Sequence, residues 1–126
     1  MKNILVIALG GSLGALSRYY LSKMITDYSG GTFPWGTLMV NLIGALLIGF
    51  LYGLFDRIII PIEFRVFITI GFIGAFTTFS TFALESVNLL RDGEIKLGLS
   101  NIIINNGASI ICVLLGFYIA GLIMRK

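Results

Sequence analysis

The stretch Gly71-Phe72-Ile73-Gly74-Ala75-Phe76-Thr77-Thr78-Phe79-Ser80-Thr81-Phe82-Ala83-Leu84-Glu85 decides how this chain folds. It carries no charge before Glu85, so it suits a helix in lipid, yet glycines and hydroxyls interrupt it. Gly74 frees the backbone. Thr77 and Thr78 are β-branched, and their hydroxyls compete for backbone hydrogen bonds. Together they predict a helix that breaks near 74–78. Broken backbone at membrane depth must be buried in protein or line a cavity, and the carbonyls it frees are suited to a small cation.

Beyond the break, Ser80, Thr81 and Glu85 form a polar track, with Thr81 and Glu85 at i, i+4. Phe79 and Phe82 stand at i, i+3 and share a face. A phenyl ring has a positive edge, so ring edges beside hydroxyls and amides would stabilise an anion that is shedding water. The plainer reading, in which both rings face lipid or core, stays open. The Thr-Phe-Ser-Thr-Phe interleaving lowers its weight.

Outward from this stretch, charges punctuate the sequence. Ile4–Ser17, Tyr28–Phe55, Val66–Leu84 and Leu97–Met124 carry none. Each, with its flanks, supplies the ~20 residues that a spanning helix needs. The expected helices are 3–25, 35–55, 65–90 and 97–124. The chain is 57% hydrophobic and 12% charged. Soluble domains carry about 25% charged residues, and one soluble core of this size cannot hide so much apolar surface. The expected fold is therefore an all-α integral membrane protein, a single domain over residues 1–126 with four transmembrane helices and a broken third helix. The first run reads as a retained helix and not a signal peptide, which would leave a three-helix product and would need a clearer cleavage site before Arg18 than the run offers. Tyr28 and Trp35 fall at predicted membrane interfaces, where amphipathic aromatics settle.

Composition also excludes functions. The formal charge of +3 is spread between apolar runs, so no nucleic-acid site is indicated. There is no histidine and one cysteine, Cys112, which rules out a Cys/His metal site, a disulfide within the chain and a histidine base. No nucleophile–base pair is visible, so an enzyme is not expected.

Four helices place both termini and loop 56–65 on one face, with Lys2, Arg57, Arg65, Arg125 and Lys126. The other face holds Lys23, Arg91 and Lys96, with Arg18 close by. That bias is too weak to fix one orientation, which permits insertion both ways and an antiparallel, dual-topology dimer. Four short helices also enclose little pore, and a second copy would supply the missing wall.

Polar residues mark the other runs. Thr37 and Asn41 are at i, i+4; an interhelical hydrogen bond, worth ~0.6 kcal/mol, and a pore-lining role are both open for Asn41. Asn101, Asn105 and Ser109 form an i, i+4, i+8 stripe beside Asn106, which reads as a wet face. Arg18 stands about 14 residues into its helix, or ~21 Å along the axis. That position fits an interfacial anchor or a vestibule cation that attracts anions. Gly10, Gly11 and Gly14 lack the Gly-Lys-Ser/Thr of a phosphate loop, so close helix packing is expected, as at Gly49 and Gly53.

Three segments resemble one family. Gly71 through Phe82 is similar to the third-helix signature of the Fluc (CrcB) fluoride channels. Trp35-Gly36-Thr37-Leu38-Met39-Val40-Asn41-Leu42 resembles their second helix, and Gly10-Gly11-Ser12-Leu13-Gly14-Ala15-Leu16-Ser17-Arg18-Tyr19 their first. Ala75 departs from the family, where a second glycine is common, as does the Asn105-Asn106 pair. The resemblance implies an antiparallel dual-topology homodimer in the inner membrane, with two fluoride pores. It implies a structural sodium ion at the dimer interface, held by the backbone carbonyls of Gly74 and Thr77. By the same resemblance Phe79, Phe82 and Asn41 line the pore, Arg18 stands in the vestibule, and the polar track includes Thr37, Ser80, Thr81, Glu85 and Ser109.

The alternative is a small dual-topology multidrug exporter. Such exporters couple protons through a carboxylate in the first helix, and this chain has no acid before Asp27. A non-transporting assembly subunit would explain the glycines but not the polar stripes.

Overall fold

A computed structural model describes residues 2–125, with only the backbone of Lys2. The helices are α1 (Lys2–Ser29), α2 (Trp35–Phe55), α3 (62–76), α4 (Phe79–Arg91) and α5 (Ile95–Ile123). No strand occurs among the described residues. Helices α3 and α4 form one interrupted span, so the chain has four segments long and apolar enough to cross a bilayer. It is a multi-pass membrane protein.

The helix ends differ modestly from expectation. α1 runs four residues past 25, because Lys23 and Asp27 form an exposed i, i+4 ion pair at 2.7 Å that suits its polar end. It stops where Gly30 adopts φ +59 and donates to Thr26 O at 3.2 Å. The third span starts at 62 and not 65, directly after Pro61, whose extended backbone (φ −52, ψ 139) begins the helix. Between α4 and α5, Gly93 at φ +83 closes a Schellman turn: Glu94 N donates to Leu89 O at 2.9 Å and Gly93 N to Leu90 O at 3.3 Å.

Lipid provides no hydrophobic drive for helix pairing, so close packing of small residues takes its place. The main seam joins α2 to α5. Gly49 rests on the backbone of Val113, Gly116 on the backbone of Leu46 and Phe50, and Gly53 against Ala120. On the other side, Gly10 and Gly14 of α1 abut the backbone of Phe67, Gly71 and Phe72. The expectation that these glycines serve close packing holds.

The part of α3 that α1 meets, Phe67–Ile73, is π-helical. This widened turn was not expected from the sequence. Thr69 Oγ1 donates to Arg65 O at 2.7 Å at its start, and such back-bonding loosens a helical ladder. Gly71 then brings two backbones together.

Candidate functional site

The break falls at Thr77 and Thr78, within the predicted window. Both are extended, with φ −86, ψ 159 and φ −150, ψ 116. The hydroxyls act as the sequence suggests. Thr77 Oγ1 donates to Ile73 O at 3.1 Å, a carbonyl that already takes the Thr77 amide at 3.0 Å. Thr78 caps α4, its Oγ1 accepting from Thr81 N at 3.2 Å and donating to Thr81 Oγ1 at 3.0 Å. Ser80 Oγ lies 3.5 Å from the same hydroxyl.

In an unbroken helix the Thr78 amide would donate to Gly74 O. It donates instead to Asn41 Oδ1 at 2.8 Å, while Asn41 Nδ2 donates to Thr78 O at 3.1 Å. The Gly74 carbonyl loses its helical partner at an exposed position. Thr77 O receives Arg18 Nη1 at 3.4 Å.

Arg18 is half-buried and stands eleven residues before the end of α1 at Ser29. Its guanidinium reaches the broken backbone at Thr77 O.

A cavity of about 440 Å³ opens against the break. Gly74, Thr77, Phe79, Phe82, Asn41 and Ser109 all line it. Phe79 and Phe82 meet edge-on, with centroids 5.4 Å apart and planes at 61°. Phe82 is buried and Phe79 is 74% exposed. Five predicted residues do not line this cavity: Thr37, Ser80, Thr81, Glu85 and Arg18. Ser80 and Thr81 cluster on the Thr78 hydroxyl. Thr37, 4% exposed, donates to Glu85 Oε1 at 2.8 Å and so joins α2 to α4.

The Asn101-Asn105-Ser109 stripe divides: Asn105 and Ser109 line the cavity, whereas Asn101 is packed away from it. Asn101 and Asn105 are 0% and 4% exposed. Asn101 Nδ2 donates to Ser86 Oγ at 2.9 Å, and Ser86 donates to Phe82 O at 2.8 Å. Asn105 Oδ1 accepts from Asn41 Nδ2 at 3.0 Å. An i, i+4 stripe marks one face of a helix but not what packs on it: here α4 meets Asn101, α2 meets Asn105, and Ser109 is left to the cavity. Asn105, read from the sequence only as part of the stripe, thus lines the site, and Ser86, which the sequence reading did not single out, ties Asn101 to the backbone of Phe82. The Asn-x-x-x-Asn spacing was the available signal for Asn105, and nothing distinguished Ser86.

Among the described residues no group of three or more His, Cys, Asp or Glu side chains converges. Backbone oxygens at the break are the donors available to a cation. They are neutral, hard and partly released from helical bonding, which suits an alkali ion.

Residues 5–117 match the family model described as CrcB-like protein, Camphor Resistance (CrcB). A Clostridium perfringens protein named fluoride-specific ion channel FluC is 45% identical over 113 residues, 89% of this chain and 88% of its own length. A Pyrococcus abyssi protein of the same name is 44% identical over 121 residues, covering 95% and 97%. One from Shewanella piezotolerans, also so named, is 43% identical over 116 residues, covering 92% and 94%.

Proposed function

The chain belongs to the CrcB-like family, and from that premise we propose that it is a fluoride-selective channel, not an enzyme, letting fluoride leave the cell passively across the inner membrane. The observation that carries this reading is the cavity at the helix break. It sets the edge-on Phe79–Phe82 pair beside the amide-rich junction of α2, α4 and α5. Ring edges and N–H groups present partial positive charge without a full counter-charge. Such a lining favours a small anion as it loses water, yet binds it weakly enough for release.

Arg18 raises the local anion concentration beside the break. Fluoride then passes ring edges and hydroxyls, with Ser80, Thr81 and Ser109 replacing water. Thr37 and Glu85 belong to the same polar track and hold α2 against α4.

The working unit is an antiparallel homodimer with two pores. Phe79 and the Gly74 backbone are exposed on a single copy, and membrane backbone without a partner requires cover. One chain offers the Gly74 carbonyl and that of Thr77, whose second lone pair remains beside the Arg18 contact, too few to replace a cation's hydration shell. A twofold partner doubles them. The residues fit a structural sodium ion at that interface, which would neutralise carbonyl dipoles and fix the two breaks together.

The exporter alternative loses support. The first acid of α1, Asp27, is exposed and paired with Lys23, which leaves no buried carboxylate there to carry protons.

The test is fluoride efflux from liposomes containing the purified dimer, read with a fluoride electrode, with chloride efflux as control. Fast fluoride release with little chloride release is the expected result. An assembled dimer that releases neither overturns the proposal.

A further inference from the structure

The peptide of Thr78 fixes the orientation of the Asn41 amide. Its oxygen faces the Thr78 N–H and its nitrogen the Thr78 carbonyl. Reversed, it would set donor against donor and acceptor against acceptor. A carboxamide has two N–H bonds, and the second from Asn41 goes to Asn105 Oδ1 at 3.0 Å. Both Asn41 donors are therefore spent.

That bond also fixes Asn105. With its oxygen turned to Asn41, its nitrogen points the other way. Asn105 Nδ2 is buried and has no hydrogen-bond partner among the described residues. The neighbouring Asn106 differs, donating to Ile102 O of its own helix at 2.7 Å. Asn105 is 4% exposed and lines the cavity that Phe79 and Phe82 line. A buried donor left unmade is costly, and its natural complement is an acceptor arriving through that cavity.

We propose that Asn105, and not Asn41, supplies the amide donor to the permeating anion. Asn41 is the positioning residue, which aims Asn105 by holding its oxygen. The inference rests on the channel reading above and deepens it. An N–H with ring edges beside it and no counter-charge suits a small, dehydrated, monovalent anion and disfavours a cation.

Asn105→Ala and Asn105→Ser leave similar space and differ by one hydroxyl, which can accept from Asn41 and donate onward. Fluoride efflux is measured against fluoride concentration for both variants and for the unaltered dimer. The alanine variant is expected to conduct about tenfold more slowly or worse, the range for one hydrogen bond to a charged group. The serine variant should recover most of that loss. If alanine conducts at the unaltered rate, or serine is as impaired as alanine, the assignment is overturned. Should the alanine variant fail to assemble, the isosteric pair Asn105→Thr and Asn105→Val decides, since the two differ in the hydroxyl that can accept from Asn41 and donate onward. Equal conduction by both overturns the assignment, and a conducting threonine beside a silent valine supports it. If the unaltered dimer itself is silent, the channel reading has failed rather than the choice of donor.

Discussion

Asn41 and Thr78 are joined by two hydrogen bonds of opposite sense: the Thr78 amide donates to Asn41 Oδ1 at 2.8 Å, and Asn41 Nδ2 donates to Thr78 O at 3.1 Å. The side chain of α2 thus takes the place of the helical partners that the break removes. An Asn41→Asp substitution puts an oxygen where Nδ2 stood, facing both Thr78 O and Asn105 Oδ1. Two attractions become repulsions. Fluoride efflux should fall to the level of protein-free liposomes, while size-exclusion chromatography still shows the dimer. Efflux at the unaltered rate would move the pathway away from this junction.

Phe79 and Phe82 present edges that isoleucine lacks. The paired Phe79→Ile, Phe82→Ile variant keeps the apolar bulk but loses the positive ring edge. Flux should be abolished without loss of assembly, again by electrode and chromatography. Retained flux would show that the rings only pack.

Thr37 joins two helices through Glu85. Thr37→Val leaves the part-buried Glu85 Oε1 without its donor, at a cost of about 1 kcal/mol. The midpoint of thermal unfolding in detergent should drop accordingly. Glu85→Gln preserves an acceptor for Thr37 and should unfold near the unaltered midpoint. Equal midpoints for all three proteins would mean that the contact contributes nothing to stability.

The α2–α5 seam predicts a contrast between two glycines. A Cβ at Gly49 would collide with the Val113 backbone, whereas one at Gly121 meets nothing within 4 Å. Gly49→Ala forces the helices apart and should cost about 1–3 kcal/mol. Gly121→Ala should be neutral or slightly stabilising, since alanine is the better helix former. The same unfolding assay separates them, and the reverse order would contradict the seam as described.

Replacing sodium on both sides of the liposome by a bulky organic cation tests the carbonyl site. The Gly74 carbonyls, which have lost their helical partners, and the Thr77 carbonyls would then lack the ion between them. Fluoride efflux should slow or the dimer loosen. Indifference of both rate and assembly to sodium would remove the cation from the account.

Much of this was legible in the sequence, because it depends on local properties. Charge-free runs of sufficient length fix the four spans, whatever packs beside them. The Thr77-Thr78 pair after Gly74 locates the break, since each hydroxyl bonds backbone within four residues. Glycine spacing foretold close helix seams. The π-helical stretch at Phe67–Ile73 was not legible, because it depends on how α1 seats against Gly71.

Only the tertiary structure decided which amide does what. Asn41, Asn101 and Asn105 look alike along the chain, as polar residues on apolar helices. A carboxamide's role depends on which of its donors and acceptors are already taken. Those partners come from other helices: Thr78 and Asn105 for Asn41, Ser86 for Asn101. Spanning length and backbone breaks follow from neighbours in sequence, whereas the free donor at Asn105 follows from neighbours in space.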